Sequence, residues 1–178
     1  MTKIEYICEC VDKLVFKFGT RNPFEICKGL NIHIHYMDLG TALKAYYFYQ
    51  SRIKNIVINT RVNKISSFVL CGHELGHAVL HCDLAAMRGF QEMELLGTLI
   101  PTEYEANIFA AQLLIPDEKI FELLKRQDIS FDELAKELSV PTQLLNFKFK
   151  ILNSKNKNLK LPYQIKSNFL KNDRFIKI

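Results

Sequence analysis

The chain has 178 residues, 48% of them hydrophobic, with 13 Phe and no Trp. That length and apolar content fit one folded domain with room for a small appended module, and they exclude a disordered chain. The formal charge of +5 is uneven: residues 153–178 carry +6 and the rest carries −1, a balance that serves solubility before it argues for nucleic acid. Five Cys form no even framework, and Glu5, Glu9 and Asp12 interrupt the first apolar residues. Reduced thiols, no export signal and no run as long as a membrane span predict a cytoplasmic protein.

Residues 3–18 place Ile4, Ile7, Val11, Leu14 and Phe18 at helical spacing, with Gly19 as the stop. Asn22-Pro23 opens a short helix over 24–28. The period then changes from helical to alternating. Ile32, Ile34 and Tyr36 alternate with His33 and His35, residues 43–49 are aromatic, and Ile53, Ile56 and Ile58 lead a third run ending at Asn59. Short connections between these runs predict a three-stranded antiparallel meander, with His33 and His35 facing solvent.

Asn63 is the expected N-cap of a helix whose apolar stripe includes Phe68, Val69, Leu75 and Val79. This helix carries Cys71-Gly72-His73-Glu74-Leu75-Gly76-His77-Ala78-Val79-Leu80-His81. His73 and His77, four apart, lie on one helical face and can reach one metal ion; Glu74 is placed to touch a metal-held water. Cys71 and Cys82 flank the motif and read as apolar filler. Gly72 and Gly76 let another element approach the helix backbone closely. Residues 82–99 have no clear period.

Helices are expected at 102–114, from Pro116 to Lys125, from Ser130 to about Ser139 with a Ser130–Glu133 capping box, and from Pro141 to Leu152. The fold class is therefore α+β: a small antiparallel sheet packed on the motif helix, then an all-helical C-terminal part. Residues 1–116 form the first unit, 117–152 a helix-turn-helix-like module with Ala135 at its tight crossing, and 153–178 a basic tail.

A tetrahedral catalytic Zn²⁺ needs a third protein ligand and an open position. His81 sits about 12 Å along the axis from His73, too far to share the ion easily. Glu103 and Glu105 are the acidic candidates. Glu103 shares a face with Ala106, Asn107 and Ala110, whose small side chains admit close approach to the motif helix. That facing favours Glu103, although periodicity by itself leaves both open. Asn107 and His81 are expected behind the ligands as hydrogen-bonding partners.

G-H-E-L-G-H-A-V-L-H followed by T-E-Y-E-A-N-I-F-A-A-Q-L-L-I-P resembles the ImmA/IrrE family of metallopeptidases over most of the chain. The resemblance implies a core laid out like thermolysin-type zincins, Glu103 as third ligand, Zn²⁺ as cofactor and Glu74 as the catalytic base. It further implies a cytoplasmic endopeptidase acting on a helix-turn-helix repressor of a mobile element, prophage or stress regulon. Tyr46, Tyr47, Tyr104 and His81 are all open as stabilisers of the oxyanion. The other reading is a non-proteolytic zinc-containing regulator that binds a repressor or DNA. Direct nucleic-acid binding is disfavoured, because the prospective recognition helix has few basic residues before Lys148.

Overall fold

A computed structural model describes residues 1–82, 99–125 and 129–155. The irregular stretch at 82–99 lies, apart from its two ends, outside the described residues, as does the tail beyond Lys155. Among the described residues no helix is long and apolar enough to cross a membrane.

Helix α1 spans Lys3–Phe18, opened by a Thr2–Glu5 capping box and closed by Gly19 in the left-handed conformation at φ 66°. Helix α2 (Pro23–Gly29) begins where the Asn22 side chain accepts from the Phe24 N–H. Strands β1 (Ile32–Met37), β2 (Ala45–Gln50) and β3 (Ile53–Asn59) follow. The α+β class and the three-stranded sheet stand, but the meander does not. The spatial order is β1-β3-β2, with β1 parallel to β3 and β2 antiparallel to it.

Two physical causes put β3 in the middle. Its residues 55–59 are all buried, the pattern of a strand covered on both faces rather than one alternating on an edge. The connection after β1 is also long enough to cross the end of β3, where the Asn59 amide donates to the Gly40 and Leu43 carbonyls. A two-residue turn then returns β2 along β3, with Ser51 and Arg52 at φ 53° and 65° as such hairpins require. His33 and His35 are exposed on the edge strand, as expected.

Helix α3 (Lys64–Leu80), capped by Asn63, lies against the sheet and α2. Helix α4 (Leu99–Leu114) packs along α3. A Cβ at position 76 would sit 3.1 Å from the Ala106 Cα, and one at position 72 would sit 3.0 Å from a Leu114 methyl. The two glycines thus set how near the helices come. Helices α5 (Asp117–Leu123), α6 (Phe131–Glu137) and α7 (Thr142–Ser154) complete the described chain. Their Leu134, Leu145 and Ile151 belong to the same buried cluster as Ile7, Ile56, Leu75 and Phe109. The expected Ser130–Glu133 capping box is present. Lys148, the basic residue nearest the recognition position of the helix-turn-helix reading, is fully buried.

Candidate metal centre

Helix α3 supplies two imidazoles and α4 a carboxylate, and the close crossing at Gly76 brings them together. His73 and His77 are 2% and 1% exposed and Glu103 is 3% exposed. The Nε2 atoms of the two imidazoles lie 3.2 Å apart. Glu103 Oε2 is 3.3 Å from His73 Nε2, and Oε1 is 3.3 Å from His77 Nε2. Ligands held tetrahedrally at about 2.0–2.1 Å from a zinc-sized ion stand about 3.3–3.4 Å from one another. Each imidazole Nε2 thus stands at about that distance from the other and from one of the two oxygens of the Glu103 carboxylate, so the three side chains converge closely enough to share one ion. Among the described residues this is the cluster of three side chains whose geometry could hold a metal ion.

The electrostatics suit a cation. Burial pushes the His77 imidazole down to about 4, against the pull of Glu103 and with the help of charge on His73 and His81. His77 is thus neutral near pH 7 and offers a lone pair. Burial also pulls His73 down, but its hydrogen bond to Glu103, the charges of Glu103 and Glu74 and the Asn107 amide together leave it raised. Burial would raise Glu103, yet the two imidazoles hold it well below the usual carboxylate range. One anionic and two imidazole donors, of intermediate softness, are a set that binds zinc or a related divalent ion.

Further polar groups stand behind the three side chains. His73 Nδ1 lies 3.0 Å from Asn107 Oδ1, so an Nδ1–H there donates and leaves Nε2 to face the centre. His77 Nδ1 lies 3.1 Å from His81 Nδ1, and His81 Nε2 lies 3.0 Å from Glu105 Oε2. Glu105 is also 3.2 Å from Lys3 Nζ at the start of α1. Glu74 is 6% exposed, and its charge is felt at His73.

The structure therefore brings together His73, His77 and Glu103, with Asn107 and His81 behind them. Glu105 stands outside the triangle. Tyr47 is fully buried and its hydroxyl faces Cys82 Sγ at 3.7 Å. Tyr46 pairs with Phe48, and Tyr104 packs edge-on against Phe147. Cys71 is buried 4.0 Å from Cys27 Sγ. Two participants escaped the sequence reading. Lys3 carries no local signal, and Glu105 was weighed only as a ligand, although its spacing from Glu103 turns it about 200° around the helix.

The chain is similar to several known proteins. Immunity region protein 2 of Bacillus phage phi105 is 35% identical over 138 residues, covering 78% of this chain and 85% of its own. The metallopeptidase ImmA of Bacillus subtilis strain 168 is 27% identical over 145 residues, covering 81% and 84%. The phage-like element PBSX protein XkdA of the same bacterium is 27% identical over 118 residues, covering 64% of this chain and 54% of its own. Residues 27–150, which span the sheet and the two helices that carry His73, His77 and Glu103, match the profile of the IrrE N-terminal-like domain. The chain accordingly belongs to the Peptidase M78 family of IrrE N-terminal-like metallopeptidases.

Proposed function

We propose that this protein is a cytoplasmic zinc endopeptidase that cuts a helix-turn-helix repressor, with His73, His77 and Glu103 as ligands and Glu74 as general base. The observation that carries the reading is the convergence of two imidazoles and a carboxylate, each contact at 3.2 or 3.3 Å, where the two helices cross. Similarity to an immunity region protein and to the metallopeptidase ImmA supports a regulatory protein as substrate. Residues 1–116 then carry the chemistry, 117–152 brace α4 from behind, and 153–178 add the basic tail.

A zinc ion in this site supplies Lewis acidity toward a water molecule and a peptide carbonyl. The chain's own residues do the rest. Asn107 and His81 keep the two imidazoles turned so that their Nε2 lone pairs face inward. Glu74 follows His73 directly and lies on the same stretch of α3. Its carboxylate takes the proton of the attacking water and passes it to the leaving amine. Burial of the site keeps bulk water from competing for these hydrogen bonds.

The test uses Glu74→Gln. Wild type incubated with its helix-turn-helix repressor substrate yields discrete fragments. The variant retains one zinc per chain and cleaves at least about 100-fold more slowly, as loss of a general base predicts. Intact repressor released from its DNA equally by both proteins overturns the peptidase reading and favours a non-proteolytic regulator.

A further inference from the structure

Behind His77 runs a line of polar side chains that the ligand set does not require: His81, Glu105 and Lys3, drawn from α3, α4 and α1. The contacts are 3.1 Å from His77 Nδ1 to His81 Nδ1, 3.0 Å from His81 Nε2 to Glu105 Oε2, and 3.2 Å from Glu105 Oε2 to Lys3 Nζ. Exposure rises along the line. The side chains of His77, His81, Glu105 and Lys3 are 2%, 7%, 16% and 64% exposed.

The direction of every hydrogen bond in this line follows from its outer end. Lys3 is a cation that only donates, and the carboxylate of Glu105 only accepts. His81 must therefore present N–H at Nε2. A neutral imidazole with its proton there has a lone pair at Nδ1, so the hydrogen between the two rings belongs to His77 Nδ1. That leaves the His77 Nε2 lone pair pointing at Glu103 and His73, the one tautomer in which His77 can ligate through Nε2. Reversing any link would put a hydrogen where the ion must sit.

We propose that Lys3, Glu105 and His81 form a positioning relay that selects the metal-binding tautomer and ring orientation of His77, and that it ties the first turn of α1 into the metal centre. The inference rests on the ligand set proposed above and assigns roles to residues outside it. It also explains why two acids so close in sequence are both partly or fully buried. Glu103 faces the ion, and Glu105 acts on it through an imidazole.

The experiment measures zinc affinity by chelator competition and the imidazole tautomers by long-range ¹H–¹⁵N correlation spectra, with thermal unfolding of each apo protein as a fold control. In wild type, one zinc binds per chain and His77 carries its proton at Nδ1. If wild type binds no zinc, the ligand assignment itself fails. Given that it binds, Glu105→Leu and His81→Phe weaken zinc about 10- to 100-fold and scramble the His77 tautomer in the apo protein. His81→Gln, which keeps an oxygen acceptor toward His77 Nδ1, restores most of the affinity. Lys3→Met, at a side chain 64% exposed, weakens zinc about threefold. Unchanged affinity and an unchanged His77 tautomer in Glu105→Leu and Lys3→Met overturn the relay. So does a loss of affinity in His81→Phe that His81→Gln fails to recover while both apo proteins unfold like wild type.

Discussion

Helix α4 carries a buried polar cluster on each of two opposite faces, and the two are built on opposite principles. On one face Glu103 meets His73 and His77. Nine residues later, half a turn around the axis, Gln112 meets Lys148 of α7 at 2.7 Å and Asp12 of α1 at 3.1 Å. Lys148, 0% exposed, also pairs with Asp117 of α5, which in turn reaches Lys155 at 3.5 Å. In this second cluster, cation meets anion and amide donor meets acceptor, so the chain supplies both halves of each contact. The first cluster turns the Nε2 atoms of two imidazoles and a carboxylate toward one point, the donor types that hold a metal ion. A buried polar group is a structural lock when its complement is in the chain. Donors that converge on one point can instead take a cation from outside.

Removing a ligand should break the contrast most completely. His77→Ala is expected to abolish stoichiometric zinc, measured by metal analysis after dialysis, while the chain stays folded because the Lys148 cluster and the core are untouched. Unchanged metal content would show that the ligand set is wrong.

Next in size is the lock. Asp117→Ala leaves the buried Lys148 ammonium without its anion and should cost about 3–5 kcal/mol in denaturant unfolding. Pairing Asp117→Leu with Lys148→Met removes both charges and should recover most of that loss. The pH dependence has a definite sign. Burial would raise Asp117, but Lys148 and Lys155 hold it below its ordinary value of 3.8. A depressed carboxyl stabilises the fold above that value and loses its contribution as pH falls through the lower folded-state one. Wild type should therefore show an acid transition below about pH 4 that is attenuated in the double variant.

Smallest is a substitution that alters spacing without touching charge. Gly76→Ala puts a methyl 3.1 Å from the Ala106 Cα and 3.3 Å from its carbonyl oxygen, and backbone cannot rotate away as a side chain can. The expected cost is about 1–3 kcal/mol. Zinc affinity should fall as well, because the carboxylate and the imidazoles sit on the two helices being pushed apart. A loss of stability with unchanged affinity would separate helix packing from site assembly.

Much of this molecule was legible because the relevant physics is local. The caps at Asn63 and Ser130, the stop at Gly19 and the four-residue spacing of His73 and His77 depend on neighbours within a turn or two. Small residues at Gly72, Gly76, Ala106 and Ala110 signalled a close helix crossing before it was seen. Sheet order was not legible in the same way. Short connections argued for a meander, whereas burial across β3 and the Asn59 clasp on the crossing loop produce β1-β3-β2. The burial of Lys148 was not legible either, since nothing near it in sequence announces Asp117 or Gln112 as its partners.

The sequence by itself determined that two imidazoles and a neighbouring carboxylate would share one stretch of helix, because backbone geometry sets that within a single turn. Only the tertiary structure decided how the acids of α4 divide their work, with Glu103 inside the triangle and Glu105 behind His81. The two differ by a rotation about one axis, and which direction is inward depends on where α3 and α1 come to rest against that helix. That placement is a property of the packed core, and no local period encodes it.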